Sequence, residues 1–318
     1  MLQQDRGLRR KLFFSAQSAR LSRCLAPSGA CGNGAIRAHS VQNSTVMGLL
    51  HRNGHVKVPG YTMSSDDSFS TSWNDIGRNL ATTFEGFCSA HDSAIFLPID
   101  TQEFDSTNHE QLFLYAYRSA VHELHASMEA AIKMQTGYEM RIEAGLDTGE
   151  HPEEAGLRAV DQMIVAHSTY VYKSTLDRAL LSRRFQVLKH EIFRLPDQIP
   201  TMAVSACFDL ANRPTREDPP RAALNIFPTS PQETVIIFSF TDDDTAAVQE
   251  YIAAIRTATG VYQKYLISRM VLMHAENFVI APSTFDMWSE EKRAKILEFF
   301  LKTLRFDSPD ESEHLCLF

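Results

Sequence analysis

The longest regular pattern of apolar and polar positions lies in the middle third of the chain. Apolar residues recur at helical spacing from 109 to 135, which predicts an amphipathic helix. Thr107-Asn108, just before this segment, supplies an N-cap. The helical pattern resumes at 153 and continues to about 193. Because a Gly/Asp/His-rich turn at 145–152 joins the two segments, we expect an antiparallel helical hairpin.

The pattern changes after residue 200. TMAVSACFDL, ALNIFPTS and ETVIIFSF are apolar runs of strand length. A Pro-Gln turn separates the last two, so residues 222–240 predict a β-hairpin and a sheet that is at least partly antiparallel. Helical spacing then returns near 243–258, 261–274 and 287–304.

The N-terminal third is less regular. Its first 22 residues lack a clear apolar period, a Gly/Pro/Cys-rich stretch at 25–35 predicts tight turns, and the Ser/Asp-rich residues 59–75 predict an exposed loop. We therefore expect an α+β protein in three parts. These are an N-terminal module at 1–105, the helical hairpin at 106–198, and a C-terminal antiparallel sheet with helices at 199–318.

The composition is that of an ordinary globular protein, with 44% hydrophobic and 22% charged residues. No segment approaches the roughly 20 consecutive apolar residues of a membrane-spanning helix, so we expect a soluble cytoplasmic protein that does not engage a membrane. The five cysteines are odd in number and unevenly placed, which favours a reducing compartment over a secreted disulfide scaffold. Cys207 lies in an apolar run and is expected to be buried, whereas Cys316 is expected to be incidental.

Charge is distributed unequally along the chain. Residues 1–60 carry nine basic side chains and one acidic side chain, a net charge of +8, whereas the whole chain has a net charge of −8. A basic arm on an acidic body indicates contact with DNA or RNA. Two alternatives stay open: an organellar transit peptide, which is also Arg-rich and acid-poor, and an ordinary solvated arm.

Two pairs of cysteine and histidine residues carry the clearest chemistry. Gly29, Gly32 and Gly34 around Cys31 predict a tight turn that brings it towards Cys24, and Cys88 and His91 are separated by the two residues typical of ligands on the first turn of a helix. Structural zinc sites take four thiolate or imidazole ligands, in pairs set by tight local turns. The spacing therefore predicts a zinc ion held by Cys24, Cys31, Cys88 and His91.

The order of these pairs resembles a treble-clef zinc finger, and a histidine after the predicted first strand makes it similar to the HNH-like variant of that fold. A closer resemblance is to an uncharacterised bacterial family with an AHS-hydrophobic-Gln motif and a GFCxxHDxxIF motif. Here these motifs read AHSVQ (38–42) and GFCSAHDSAIF (86–96), and the resemblance continues into QLFLYAYR (111–118). The resemblance implies a treble-clef-like module, and no established activity comes with that family.

In HNH-like nucleases the histidine that matches His39 activates water, and a divalent metal stabilises the leaving oxygen. The resemblance thus implies His39 as general base and Asp92 as a residue helping to hold a second metal such as magnesium, with Asn79 as a further candidate. The chain departs from that pattern because the helix lacks a further histidine at a turn's spacing. His39 is also an alternative zinc ligand in place of His91.

Two function hypotheses follow. The first is a zinc-binding protein that engages nucleic acid through its basic N-terminal third, as an HNH-like phosphodiester-hydrolysing effector of the kind found in bacterial defence systems. The second is a non-catalytic protein-interaction protein with a structural zinc. On the first long helix, His122, His125 and Glu129 share one face. We interpret them as a solvated or interhelical polar face and not as a metal site.

Overall fold

The computed structural model describes residues 2–27, 31–63, 69–148, 150, 154–210, 219–304 and 315–318. Its helices are α1 (Leu2–Gln17), α2 (Val46–Leu50), α3 (Ser89–Asp100), α4 (His109–Glu143), α5 (Glu154–Leu181), α6 (Thr245–Tyr251), α7 (Ala253–Thr257), α8 (Gly260–His274), α9 (Pro282–Met287) and α10 (Glu290–Leu304). Its strands are β1 (Ile36–His39), β2 (His55–Met63), β3 (Phe69–Gly77), β4 (Thr83–Phe87), β5 (Leu188–Pro196), β6 (Met202–Asp209), β7 (Arg221–Ser230), β8 (Glu233–Thr241) and β9 (Phe278–Ile280). The α+β class is confirmed.

Seven of these strands form one antiparallel sheet in the order β3-β2-β9-β6-β7-β8-β5. The hairpin predicted at 222–240 is confirmed by the pairing of β7 with β8. The sheet takes β2 and β3 from the N-terminal side of residue 105 and five strands from beyond residue 187. The three-part division stays a prediction, and the large sheet joins residues from its first part to residues from its last two.

The helical hairpin is formed by α4 and α5, and its start agrees with the predicted cap. The side chain of Asn108 accepts hydrogen bonds from the backbone N–H groups of Glu110 and Gln111. The predicted end of the second helix near residue 193 is wrong. The helix stops at Leu181, where Arg183 adopts a left-handed conformation with φ of 54°, and the chain then enters β5. No proline or glycine lies next to this helix end, so the sequence pattern contained no signal that predicted it.

The exposed loop expected at 59–75 is also wrong for the residues that the structure describes. Pro59–Met63 and Phe69–Asp75 continue β2 and β3, and residues 64–68 lie outside the described part. Trp73 anchors β3, because its ring packs edge-on against Phe285 at 5.3 Å and Trp288 at 5.8 Å between centroids. Ser70 and Ser72 on the other face of β3 give the strand a polar composition that obscures this contact.

Both faces of the large sheet are covered, which explains the continuous apolar runs. Along β6, Ala203 and Cys207 belong to the core shared with α4 and α5, whereas Val204 and Phe208 belong to the core shared with α8 and α10. Cys207 is buried, as expected. Among the described residues, no helix is long and apolar enough to cross a membrane.

Candidate metal centre

A small second sheet carries the two cysteine and histidine pairs. Strands β1 and β4 pair antiparallel, and α3 begins two residues after β4 ends, with Cys88 as its N-cap. Gly86 is needed in β4 because a Cβ at this position would collide with the ring of Phe84. This ring is buried and packs edge-on against Phe87. The local packing therefore fixes the direction in which Cys88 leaves the strand.

Cys24, Cys31, Cys88 and His91 bring their donor atoms together within 4.8 Å of one another. The Sγ atoms of Cys31 and Cys88 are 3.7 Å apart, and the Nδ1 atom of His91 lies 3.4 Å from Cys24 Sγ and 3.3 Å from Cys88 Sγ. A tetrahedral zinc with ordinary bond lengths would place two sulfurs about 3.8 Å apart and a sulfur and a nitrogen about 3.5 Å apart. The cluster thus has the dimensions of a tetrahedral metal site. The sulfur separation is far longer than a disulfide bond.

The segment that delivers Cys24 is held by backbone hydrogen bonds on both sides. Arg23 N–H donates to the carbonyl of Glu85 at 3.2 Å, and Leu25 N–H donates to the carbonyl of Gly86 at 2.8 Å, so the segment lies along β4. On its other side Lys173 of α5 donates to the carbonyl of Leu25. Cys24 is therefore positioned between the small sheet and the helical hairpin.

The polar face of α4 holds the same segment slightly earlier. His125 Nε2 donates to the carbonyl of Leu21 at 2.7 Å, and Glu129 accepts from the N–H of Leu21 at 3.2 Å. The interpretation of His125 and Glu129 as a solvated or interhelical polar face is wrong, because both side chains bind the backbone of the N-terminal segment. The sequence showed their helical spacing and gave no sign of this backbone partner.

The electrostatics of the two buried cysteines differ. The pKa of Cys88 is lowered to about 6, chiefly because the backbone N–H of His91 donates to its sulfur at the start of α3. Burial raises the pKa of Cys24. A metal needs deprotonated sulfur ligands, so a metal bound here would release protons on binding and would be held more weakly as pH falls. Gly32, one of the glycines predicted to form a tight turn, does not adopt a left-handed conformation, and Gly29 lies outside the described residues.

His39 ends β1 and is not one of the four converging groups. Its Nε2 donates to the carbonyl of Arg78 at 3.2 Å, and burial lowers its pKa. The described residues therefore favour His91 over His39 as the fourth ligand. Asn79, the further candidate, accepts a hydrogen bond from Asn43 at 2.9 Å.

Asp92 lies in the first turn of α3, one residue after His91. Its Oδ1 atom is buried and has no hydrogen-bond partner, and burial raises its pKa. Arg118 and Asp100 are its charged neighbours, and the same two groups act on His39. Arg118 binds Asp100 through two bonds of 2.9 and 2.7 Å. Asp92 and His39 thus share one ion pair as their electrostatic environment.

Part of the basic arm is neutralised within the fold. Arg37, Arg52 and Lys57 each form an ion pair with a carboxylate of the same chain. Lys11, Arg20 and Arg23 are exposed, whereas the side chains of Arg6, Arg9 and Arg10 are outside the described part. The charge asymmetry of the sequence is therefore smaller on the surface than along the chain.

Comparison with known proteins adds no relative to this picture. No protein-family model, no curated protein and no solved structure matches the chain. The metal centre therefore stands on its own geometry.

Proposed function

We propose that this protein is a zinc-binding protein in which Cys24, Cys31, Cys88 and His91 hold one structural zinc ion in a treble-clef-like module. The convergence of these four donor atoms at tetrahedral spacing carries the proposal. Catalytic zinc keeps a coordination position open for water or substrate, whereas four protein ligands close the site. A closed site supports a structural role.

The role of such a zinc follows from what its ligands connect. Cys24 belongs to the segment held by α4 and α5, while Cys88 and His91 belong to α3. Zinc would fasten the N-terminal segment to α3 and leave the outer surfaces of the module free for contacts. On this basis the protein acts as a non-catalytic interaction protein built on a zinc-stabilised scaffold.

Substitution of one ligand tests the proposal. Cys88→Ser should abolish stoichiometric zinc binding and lower the melting temperature, whereas Cys316→Ser, a half-buried cysteine outside the cluster, should change neither. Zinc content is measured by elemental analysis and stability by thermal unfolding. Equal zinc content in the two variants would contradict the proposal.

A second candidate, HNH-like phosphodiester hydrolysis, is favoured by the orphaned Oδ1 of Asp92. An unpaired buried carboxylate oxygen is costly unless a proton or a cation satisfies it. In this candidate Asp92 would help to hold a divalent ion such as magnesium, and His39 would serve as general base. The candidate predicts magnesium-dependent cleavage of DNA or RNA that His39→Ala removes while zinc content and melting temperature persist. Absence of cleavage by the unmodified protein rejects it.

Nucleic-acid binding is tested separately through the exposed part of the basic arm. If Lys11, Arg20 and Arg23 contact phosphates, their joint replacement by Glu should weaken binding and reduce its salt dependence. Replacement of Lys295 and Lys302 on α10 by Glu is the control, because α10 lies on the opposite side of the large sheet. Equal loss in both variants would indicate non-specific electrostatics.

A further inference from the structure

A groove opens between the helical hairpin and the middle strands of the large sheet, and none of the four candidate metal ligands lines it. It has a volume of about 340 Å³, within the range of small-molecule sites. Its walls come from α4, α5, the second half of β6, the start of β7 and the link between α8 and β9. Among the described residues, its acidic, arginine and histidine side chains are His122, Glu123, Asp209, Arg221, His274 and Glu276.

The groove exists because β9 is short. Its pairing with β6 covers only Met202–Val204, and Asn277 then binds the backbone of Ser205 on both its N–H and its carbonyl. Beyond that point β6 continues to Asp209, and no described strand pairs with it on this side. Small side chains on α4, Ala126 and Ala130, line the opposite wall and keep the space open.

Arg221, the one arginine among the described residues that line the groove, is already engaged. Arg221 is only 3% exposed, and its guanidinium binds the carboxylate of Asp209 and both the carbonyl and the hydroxyl of Ser168. Glu123 and Glu276, by contrast, have no hydrogen bond or ion pair with any described residue, although both line the groove. Within the described residues, which leave out 211–218 between β6 and β7, the groove contains two carboxyl groups without a compensating cation.

The histidines do not supply that cation. Burial lowers the pKa of His122 and of His274 to about 4, so both imidazoles are neutral at pH 7. His274 is also held in place, since its ring stacks on Phe208 at 4.3 Å and its Nε2 pairs with the hydroxyl of Tyr251. The pKa of Glu123 is raised to about 8, chiefly by burial and also by Glu276 across the groove, while Arg221 opposes the shift.

We propose that the groove binds a small organic amine, with its ammonium group facing Glu123 and Glu276 and its apolar body against Ala126, Ala130 and Val165. The geometry provides carboxyl groups at one part of the cavity and apolar surface beside them. A cation placed there offsets the repulsion between the two carboxylates and the loss of water at Glu123. Within the described residues, only the cysteine and histidine cluster gathers three or more metal-binding atoms, so the geometry does not favour a metal ion in the groove.

Titration calorimetry on the full-length, zinc-loaded protein tests the proposal with three probes of one length: hexylamine, hexanol and hexanoate. Hexylamine should bind at least about tenfold more tightly than the other two at pH 7. Its binding should also release protons, because the ammonium requires ionised carboxylates and Glu123 is largely protonated in the free protein. Proton release is measured from the heat in buffers of different ionisation enthalpy.

Variants of the lining residues locate the binding site, and the use of several variants preserves the test if one of them fails to fold. Glu123→Gln and Glu276→Gln should each weaken hexylamine binding about tenfold, and Ala126→Leu should weaken it by filling the groove. Glu250→Gln, on an exposed glutamate of α6, is the matched control and should bind as the unmodified protein does. The proposal is overturned if hexylamine binds no better than hexanol, or if Glu276→Gln and Ala126→Leu leave its affinity unchanged. Zinc content, measured in parallel, keeps this outcome separate from failure of the metal centre.

Discussion

The candidate metal centre and the groove each bring ionisable side chains together in the fold, but they differ in how closely these side chains approach one another. In the metal centre, four donor atoms from a short segment, a strand end and a helix start lie within 4.8 Å of one another. In the groove, carboxyl groups from α4 and from the α8–β9 link face a space of about 340 Å³. The four donor atoms are close enough to enclose one metal ion, whereas the groove is large enough for a small molecule that binds reversibly.

Removal of zinc should give the largest effect and separate the two regions most clearly. His91→Ala should destabilise the protein by at least about 3 kcal/mol, because structural zinc contributes directly to the free energy of folding. Hydrogen exchange should increase most in residues 21–27, 31–39 and 83–100. The groove strand β6 should keep its protection.

An equal increase of hydrogen exchange in β6 and in α3 after loss of zinc would contradict this expected difference between the two regions. The result would mean that the metal supports the whole core and not the N-terminal module alone. His39→Gln is the matched control, since His39 is a nearby histidine outside the cluster.

Disruption of the ion pair between α3 and α4 should come next. Arg118 is 3% exposed, binds Asp100 through two hydrogen bonds and lies 4.0 Å over the ring of Phe96. Asp100→Asn leaves this buried cation without its carboxylate and should cost about 2 kcal/mol, below the full value for a buried pair because Asp100 is partly exposed. Chemical denaturation measures the loss. Zinc content should remain that of the unmodified protein, since neither residue is a ligand.

Glu123, which lines the groove, should make the stability of the protein depend on pH. Folding raises the pKa of Glu123 from 4.5 to about 8, so the folded protein binds the proton more tightly and loses stability as pH rises between these values. The groups facing Glu123 are Glu276, Asp209, Arg221 and the neutral His122. Glu123→Gln should therefore be more stable than the unmodified protein at pH 8, by about 1 kcal/mol after allowance for solvent in the groove, and equal to it at pH 4.

Thermal unfolding across this pH range measures the difference, with Glu250→Gln as the control. An advantage of Glu123→Gln that is the same at pH 4 and pH 8 would show that Glu123 is not held protonated by the fold. The contrast between the groove and the metal centre would then rest on shape alone.

The smallest effect is expected at His39. Its hydrogen bond to the carbonyl of Arg78 contributes about 1 kcal/mol or less, so His39→Gln should unfold at nearly the normal denaturant concentration. A loss of zinc in this variant would show that His39, and not His91, is the fourth ligand.

The four candidate metal ligands were predictable from the sequence because each pair is recognisable from its local spacing. Cys88 and His91 are fixed by one helical turn, and the position of Cys24 and Cys31 before a short strand brings the second pair into reach. The long helix α4 and its Asn108 cap were equally accessible, since period and capping are properties of neighbouring residues.

The groove was not predictable, because its residues are distant in sequence and share no motif. Glu123 and Glu276 become neighbours only through the strand order of the sheet and the shortness of β9. The same limit applies to β2 and β3, whose place in the sheet depends on packing of Trp73 against a C-terminal helix and its flank. Long-range pairing of this kind leaves little trace in local composition.

Elemental analysis of the purified full-length protein after exhaustive desalting tests the central claim most directly. The account predicts about one zinc per chain, retained until a strong chelator or acid removes it with a fall in melting temperature. Folded protein that contains no zinc, and whose melting temperature a chelator does not change, would contradict it.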